Sequence, residues 1–545
     1  MTSNERPPGD TPPQPTPSRR HEPNLSPPDY VINNHGARTL DPAGALTLPG
    51  QTVRPTVYVA NKLLVRDGDD PQVRQALDAA AARFKLKVVP DGDDPEIRAL
   101  AQEADLTELA IRVLNIRVRL EPDTTEPIPP ADAWAVLQVY RSIVGPGTEL
   151  ANRVSLEHLL TATSVDIGGS PFMKGGPFMK GGPFMKGGPF MKGGSASSQY
   201  GDPGFGGRTP VTWAGLAPVR ADESEARTRG RRPVVAVLDT GVGRHPWLRS
   251  PVVKRNLTVG ALEIGFHDAA TDPEQGGALD DPLEGTLDSD AGHGTFIAGL
   301  IRQLCPNADI LAIRVMHSDG VVPEGDFLVA LNRLLLRHAL GQALNRPEWI
   351  VDVVSLSLGY YHELPADVAY DQLLLEPLCE FGRRGVAVVA AAGNDSTSRH
   401  MYPAGFAPHD EGLVPLGHDA IPLVSVGALN PNLETIALFS NAGDWVITHR
   451  QGAALVSTLP TTFDGSLQPL AEFYVEGDGE RATIDPDDFH GGFGTWSGTS
   501  FSAPIVAAQI AEDLWRHGGM DQLASSAAVD RAWHAVEKVS RLKRP

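Results

Sequence analysis

The sequence predicts an α/β protein: a doubly wound, mostly parallel sheet, a smaller α+β domain ahead of it, and disordered segments between. Three observations lead there. The chain has 545 residues, more than one hydrophobic core ordinarily serves. From about residue 208, short apolar runs alternate with helical patterns, as strands buried on both faces of a parallel sheet require. Ahead of that point the texture differs: a proline-rich arm, then mixed strands and helices, then a glycine-rich repeat.

Taken in order, residues 1–53 carry many prolines and few large apolar side chains, and read as a disordered arm. Residues 54–165 read as the small α+β domain. Its elements are a strand at Thr56–Ala60, a helix over Pro71–Phe84 (Val73, Ala76, Leu77, Ala80, Ala81 and Phe84 on one face) and a short strand at Leu86–Val89. An alternating stretch, Ala110–Leu120, reads as a longer strand, Ala131–Ile143 as a helix, and Arg153–Leu160 as a last strand or helix. Residues 166–208 form a linker in which Pro-Phe-Met-Lys-Gly-Gly occurs four times between Pro171 and Gly194. Two glycines in six favour a flexible spacer, and an exposed Phe-Met-Lys is also bait for a protease or partner. Residues 209–520 hold the sheet, with strands at Val234–Leu238, Ile310–Val315, Val351–Leu358, Val386–Ala392 and Leu423–Val426, and a helix over Asp326–Arg337. Thr461–Gly494 reads as a surface insertion, and residues 521–545 as a helical tail.

Composition excludes several function classes. No run of about 18 apolar residues exists, so no membrane span is expected. Met1–Tyr30 lacks the apolar stretch of a secretory leader; a cytoplasmic location is expected, with leaderless export left open. Two cysteines, Cys305 and Cys379, make at most one bridge and read as buried thiols. With 47 basic against 67 acidic residues the net charge is -20, which repels phosphate backbones and argues against a nucleic-acid partner.

Three segments carry chemistry. Val235–Val242 is an apolar strand that delivers Asp239 and breaks at Gly241. His293-Gly294-Thr295 opens a helix lined with small residues, and Gly498-Thr499-Ser500 places a serine ahead of the apolar helix Ile505–Leu514. A serine hydroxyl is a weak nucleophile until an imidazole takes its proton and a carboxylate holds that imidazole in the right tautomer. Ligand sites in such sheets lie at the carboxyl ends of the strands, where these segments fall.

In these segments the sequence resembles the subtilisin-like serine peptidases, the subtilase family, whose chain order is also Asp, His, Ser. The resemblance covers roughly Thr209–Gly519. It implies Ser500 as nucleophile, His293 as general acid/base and Asp239 as orienting carboxylate. It also implies that Asn394, in Ala392-Gly393-Asn394, donates to the oxyanion alongside the Ser500 backbone N–H, and that Ser357, Leu358 and Gly359 bind substrate as an added strand. Ser355 and Phe501 stand where the family often has asparagine and methionine.

The implied activity is a serine endopeptidase acting on peptide or protein substrates with no required cofactor. The element order of residues 54–165 is similar to a subtilase prodomain, which implies a self-processing zymogen whose N-terminal domain contacts the catalytic one. Two alternatives are a non-cleaving pseudo-protease that binds peptides and an active protease held by a permanent N-terminal sensor. His245 reads as structural; His317, His362, His400, His409 and His418 have no ligand spacing and read as solvated or capping. Asp268–Asp290 carries eight acidic residues, an oxygen-rich stretch for which calcium is a candidate without EF-hand order; no metal ligand is assigned.

Overall fold

A computed structural model describes residues 28–66, 70–90, 95–107, 109, 117–162, 200–201, 206–212, 214–364, 372–409 and 417–545. The sheet of the larger, C-terminal unit has seven strands, all paired in parallel. Across the sheet they run Thr448–Gln451, Val424–Leu429, Ala387–Ala391, Val353–Leu356, Val234–Asp239, Asp309–Arg314 and Val253–Lys254. Every residue of Val234–Asp239 is buried, as is every residue of Val353–Leu356 and Ala387–Ala391, which is why these runs are continuously apolar rather than alternating. Val234–Asp239 lies between Asp309–Arg314 on one side and Val353–Leu356 on the other, so the strand order reverses direction there. The crevice at such a reversal is where an open α/β sheet binds its ligand.

Helix Thr499–His517 packs against the strands from 353 to 451 and against helix His293–Leu304. Helix Gln372–Arg383 packs on Ala387–Ala391 and on helix Glu324–Ala343, and the C-terminal helix Ser525–Val539 packs on both Thr499–His517 and Gln372–Arg383. No helix among the described residues is long and apolar enough to cross a membrane.

The N-terminal sheet is antiparallel, in the order Leu86–Pro90, Arg117–Pro122, Thr56–Val65, Val154–Ala162. Helices Pro71–Ala82 and Ala133–Val144 pack together over it and bury Val73, Leu77, Trp134, Leu137 and Tyr140. Each begins at an aspartate that accepts first-turn amides: Asp70 from Gln72 at 2.8 Å, Asp132 from Trp134 at 3.1 Å.

Several sequence expectations change. The arm expected over residues 1–53 contains a helix, Asp29–Asn34, and a strand, Ala37–Leu40, that pairs antiparallel with Val59 to Thr56. Its order comes from that distant partner, which local composition does not report. Ala110–Leu120 contributes only its end to the strand Arg117–Pro122, with residues 110–116 outside the described set, and a helix, Pro95–Glu103, precedes it. The open choice at Arg153–Leu160 resolves as a strand, Val154–Ala162. The Phe-Met-Lys repeats lie outside the described residues. Cys305 and Cys379 are both free thiols, Cys305 buried and Cys379 half-buried. Within Thr461–Gly494, Phe463 and Phe489 are buried at the base of an exposed hairpin, Glu472–Val475 paired with Gly479–Ala482.

Candidate active site

Three neighbouring strands end at one place. Asp239 is the last residue of its strand, Ser357 follows Val353–Leu356, and Asn394 lies three residues beyond Ala387–Ala391. The chain leaves Asp239 through Gly241, whose φ of +109° favours glycine. His293 is the first residue of its helix, and the next position has no room for a side chain: a Cβ on Gly294 would lie 2.0 Å from the Gly241 carbonyl oxygen. Helix and aspartate loop therefore meet backbone to backbone.

His293 and Asp239 are fully buried, with Nδ1 2.7 Å from Asp239 Oδ1. Burial alone pulls the imidazole's pKa down, but the charge of Asp239 and its hydrogen bond outweigh that and raise it. Asp239 Oδ1 also accepts the Thr240 N–H at 2.8 Å. Among the described residues His293 Nε2 has no hydrogen-bond partner. The ring is held laterally by aromatics, with Phe501 at 5.2 Å and Trp496 at 5.7 Å between centroids. Phe501, an apparent departure by sequence, is thus part of the wall that fixes the imidazole plane.

Ser500 lies in the first turn of Thr499–His517, and its Oγ donates to the Ser357 carbonyl at 3.3 Å. The reciprocal bond, Ser357 Oγ to the Ser500 carbonyl, is 2.9 Å, so the start of helix Thr499–His517 and the turn at Ser357 are tied together. Asn394 Oδ1 accepts from both the N–H and the Oγ of Thr499 at 2.9 Å. With the oxygen end of its amide accepting, the Nδ2 end is the donor end. Arg208, outside the motifs, donates to the Ala291 carbonyl at 2.6 Å and the Asp288 carbonyl at 3.0 Å, and stacks 5.0 Å from Trp496. It anchors the loop that delivers His293, a role that no local spacing announces.

The cleft strand is paired. Leu358 and Gly359 run antiparallel to Ala162 and Thr161. On its other edge the same N-terminal strand pairs Leu159, Leu160 and Thr161 with Pro323, Val322 and Val321. Leu160 is fully buried and belongs to the core of the parallel sheet, a contribution of about 1.5–3 kcal/mol from its side chain.

Further back along that strand, His158 is buried between two carboxylates, Nδ1 2.8 Å from Glu324 and Nε2 2.8 Å from Glu363, stacked on Tyr360 at 4.3 Å. Its ring loses protonation free energy to burial and regains more from the two carboxylates, which push its pKa up to about 10. His158, His362 and Glu363 bring ligand atoms within 4.8 Å of one another. With both His158 nitrogens on carboxylate oxygens, the arrangement is that of an imidazolium clamped by anions. Of the two roles expected for His362, solvated or capping, the structure gives the second: it is buried, accepts the Leu364 N–H at 3.2 Å, and burial lowers its pKa to about 4.

His245 caps a short turn by accepting the Trp247 N–H at 3.1 Å, the structural role expected of it. The acidic stretch 268–290 spends its carboxylates locally. Asp268, Asp272, Asp281 and Asp288 accept backbone amides of their own turns, Asp280 accepts from Ser318, and Glu274 is buried behind the aspartate loop. Among the described residues no three of them converge, so the stretch does not fit a calcium cage and no step is routed through one.

Comparison with known proteins agrees in location. The sequence model of the subtilase family matches residues 230–526. A subtilisin from Bacillus sp. (strain TA39) is 28% identical over 309 residues, covering 55% of this chain and 61% of that protein. An intracellular serine protease from Paenibacillus polymyxa is 26% identical over 314 residues, covering 54% of this chain and 71% of that one. The chain thus spans about three fifths of the Bacillus subtilisin's length. Among solved structures, fervidolysin from Fervidobacterium pennivorans, a keratinolytic enzyme related to subtilisin, aligns with TM-score 0.40 and 19% identity, covering 87% of this chain and 56% of that one.

Proposed function

This chain belongs to the subtilase family, and we propose that it is a serine endopeptidase made as a zymogen whose own N-terminal strand is its first substrate. The observation that carries the reading is the seating of Leu159–Ala162 between Val321–Pro323 and Leu358–Gly359. An extended peptide added to an exposed strand is a general recognition mode, with backbone hydrogen bonds giving affinity and buried side chains such as Leu160 giving selectivity. Leu358 opposes Ala162, and the residue before Leu358 is Ser357, whose carbonyl Ser500 touches. A substrate that kept this register for one residue more would offer the nucleophile the bond after that residue, so Thr163–Ser164 is the bond proposed to be cut.

In the proposed mechanism the Ser500 hydroxyl adds to the scissile carbonyl as His293 Nε2 takes its proton. The imidazolium is stabilised by Asp239 on Nδ1. Charge moves onto the carbonyl oxygen, where Asn394 Nδ2 and the Ser500 N–H donate. His293 then returns the proton to the leaving amine, and water repeats the cycle on the acyl-enzyme. The arrangement favours hydrolysis of peptide and protein chains bound in extended form.

A fluorophosphonate probe on the full chain is expected to label Ser500, with labelling lost in His293→Ala. A folded, processed chain that stays unlabelled would leave only the peptide-binding, non-cleaving reading. A second reading of the N-terminal unit, a permanent inhibitor displaced by a partner, is favoured by the His158 clamp and the burial of Leu160, which embed the strand more deeply than a transient substrate needs.

A further inference from the structure

A second carboxylate lies behind the Asp239–His293 pair. Glu274 is fully buried, with Oε1 2.5 Å from Thr240 Oγ1 and Oε2 hydrogen-bonded to the Thr295 hydroxyl. Both threonines are fully buried; Thr240 follows Asp239 directly and Thr295 lies two residues past His293. Thr295 Oγ1 accepts the Gly243 N–H at 2.7 Å, so its single proton goes to Glu274. Thr240 Oγ1 accepts the Gly294 N–H at 2.9 Å and has two carboxylates in reach, Glu274 at 2.5 Å and Asp239 Oδ1 at 3.1 Å. A hydroxyl has one proton to give. When Glu274 is ionised it takes that proton. When Glu274 is protonated it donates to Thr240 Oγ1 instead, and the Thr240 hydroxyl turns to Asp239, which then holds the His293 N–H, the Thr240 N–H and the Thr240 O–H together.

We propose that Glu274 is a positioning residue for the triad, setting through the Thr240 hydroxyl how many hydrogen bonds Asp239 accepts and therefore how basic His293 is. The inference rests on the peptidase reading of this site. Several charged groups face the relay. Asp272 is on the same turn as Glu274, Asp239 on the sheet, Asp290 and His293 on the helix side, and Arg255 on the loop beyond the aspartate strand. Burial, opposed by the two threonine hydroxyls and helped by Asp272 and Asp239, pushes Glu274 up to about 7, so both hydrogen-bond arrangements are accessible near neutrality. The negative charge of Glu274 also raises His293.

The test is the pH dependence of fluorophosphonate labelling of Ser500 in the full chain, whose acid limb reports deprotonation of His293. In Glu274→Gln the amide donates to Thr240 permanently and carries no charge, so the acid limb moves to lower pH by roughly half a unit. In a Thr240→Val background the relay is cut, and adding Glu274→Gln moves the limb much less; Thr240→Ser restores the full response. An unmoved limb in Glu274→Gln overturns the proposal. So does an equal shift in the wild-type and Thr240→Val backgrounds, which assigns the effect to charge acting through space. If Glu274→Gln does not fold, the Thr240→Ser and Thr240→Val pair decides alone: equal limbs for the two overturn it. A wild-type chain that never labels fails the peptidase reading instead, so the two failures are distinct.

Discussion

Two buried histidines, His293 and His158, begin alike and end differently. Each is fully buried and each places Nδ1 within 2.8 Å of a carboxylate oxygen. The difference is at the second nitrogen. His158 Nε2 meets another carboxylate, Glu363, while His293 Nε2 has no hydrogen-bond partner among the described residues. A ring clamped at both nitrogens keeps its proton and acts as a fixed cation. A ring clamped at one holds a tautomer and leaves a lone pair for chemistry. On the proposed function, the same fold uses one side chain for two jobs, and the neighbour of Nε2 decides which.

That contrast can be broken from either end. The largest expected effect is at the reacting end: Ser500→Ala lowers turnover by about 10⁶-fold, measured on an extended peptide. Asp239→Asn leaves the geometry but presents the wrong tautomer, and turnover falls by about 10⁴-fold. Asn394→Ala removes one oxyanion donor and lowers kcat by about 10²–10³-fold with little change in KM.

At the clamped end, His158→Ala leaves Glu324 and Glu363 buried without their cation and weakens docking of the N-terminal strand by about 3–5 kcal/mol. The readout is faster hydrogen exchange over Val154–Ala162 in a Ser500→Ala background. The pH dependence is smaller and has a definite sign. Docking raises the His158 pKa from 6.5 to about 10, so its contribution is whole below about 6.5 and is lost as pH rises through about 10. Protection over the strand, taken relative to the intrinsic base-catalysed exchange rate, should therefore fall on the alkaline side in wild type and not in His158→Ala.

The two ends were also unequally legible. The roles proposed for Asp239, His293 and Ser500 come from local patterns, a strand ending at Asp-Thr-Gly or a helix opening at His-Gly-Thr or Gly-Thr-Ser. Leu358 and Gly359 are expected to bind substrate for the same reason, but that Thr161 and Ala162 pair with them is not legible, because the pairing joins residues almost two hundred positions apart. His362 reads from sequence as solvated or capping; it does cap its own turn by accepting the Leu364 N–H, while its burial comes from distant neighbours such as His158 and Arg399. Glu274 was one acid among eight in its stretch, and only the tertiary approach of Thr240 and Thr295 singles it out. Ala37–Leu40 was hidden for a related reason, its order being supplied wholly by Thr56–Val59. Local motifs report what a residue can do; burial and distant partners decide whether it does.

The most direct measurement is the intact mass of the freshly purified wild-type chain beside its Ser500→Ala variant. The account predicts that the wild type separates into two pieces divided at Thr163–Ser164, while the variant remains a single chain of 58.1 kDa. Two intact chains, or the same cut in both, would contradict the claim that the N-terminal strand is this serine's first substrate.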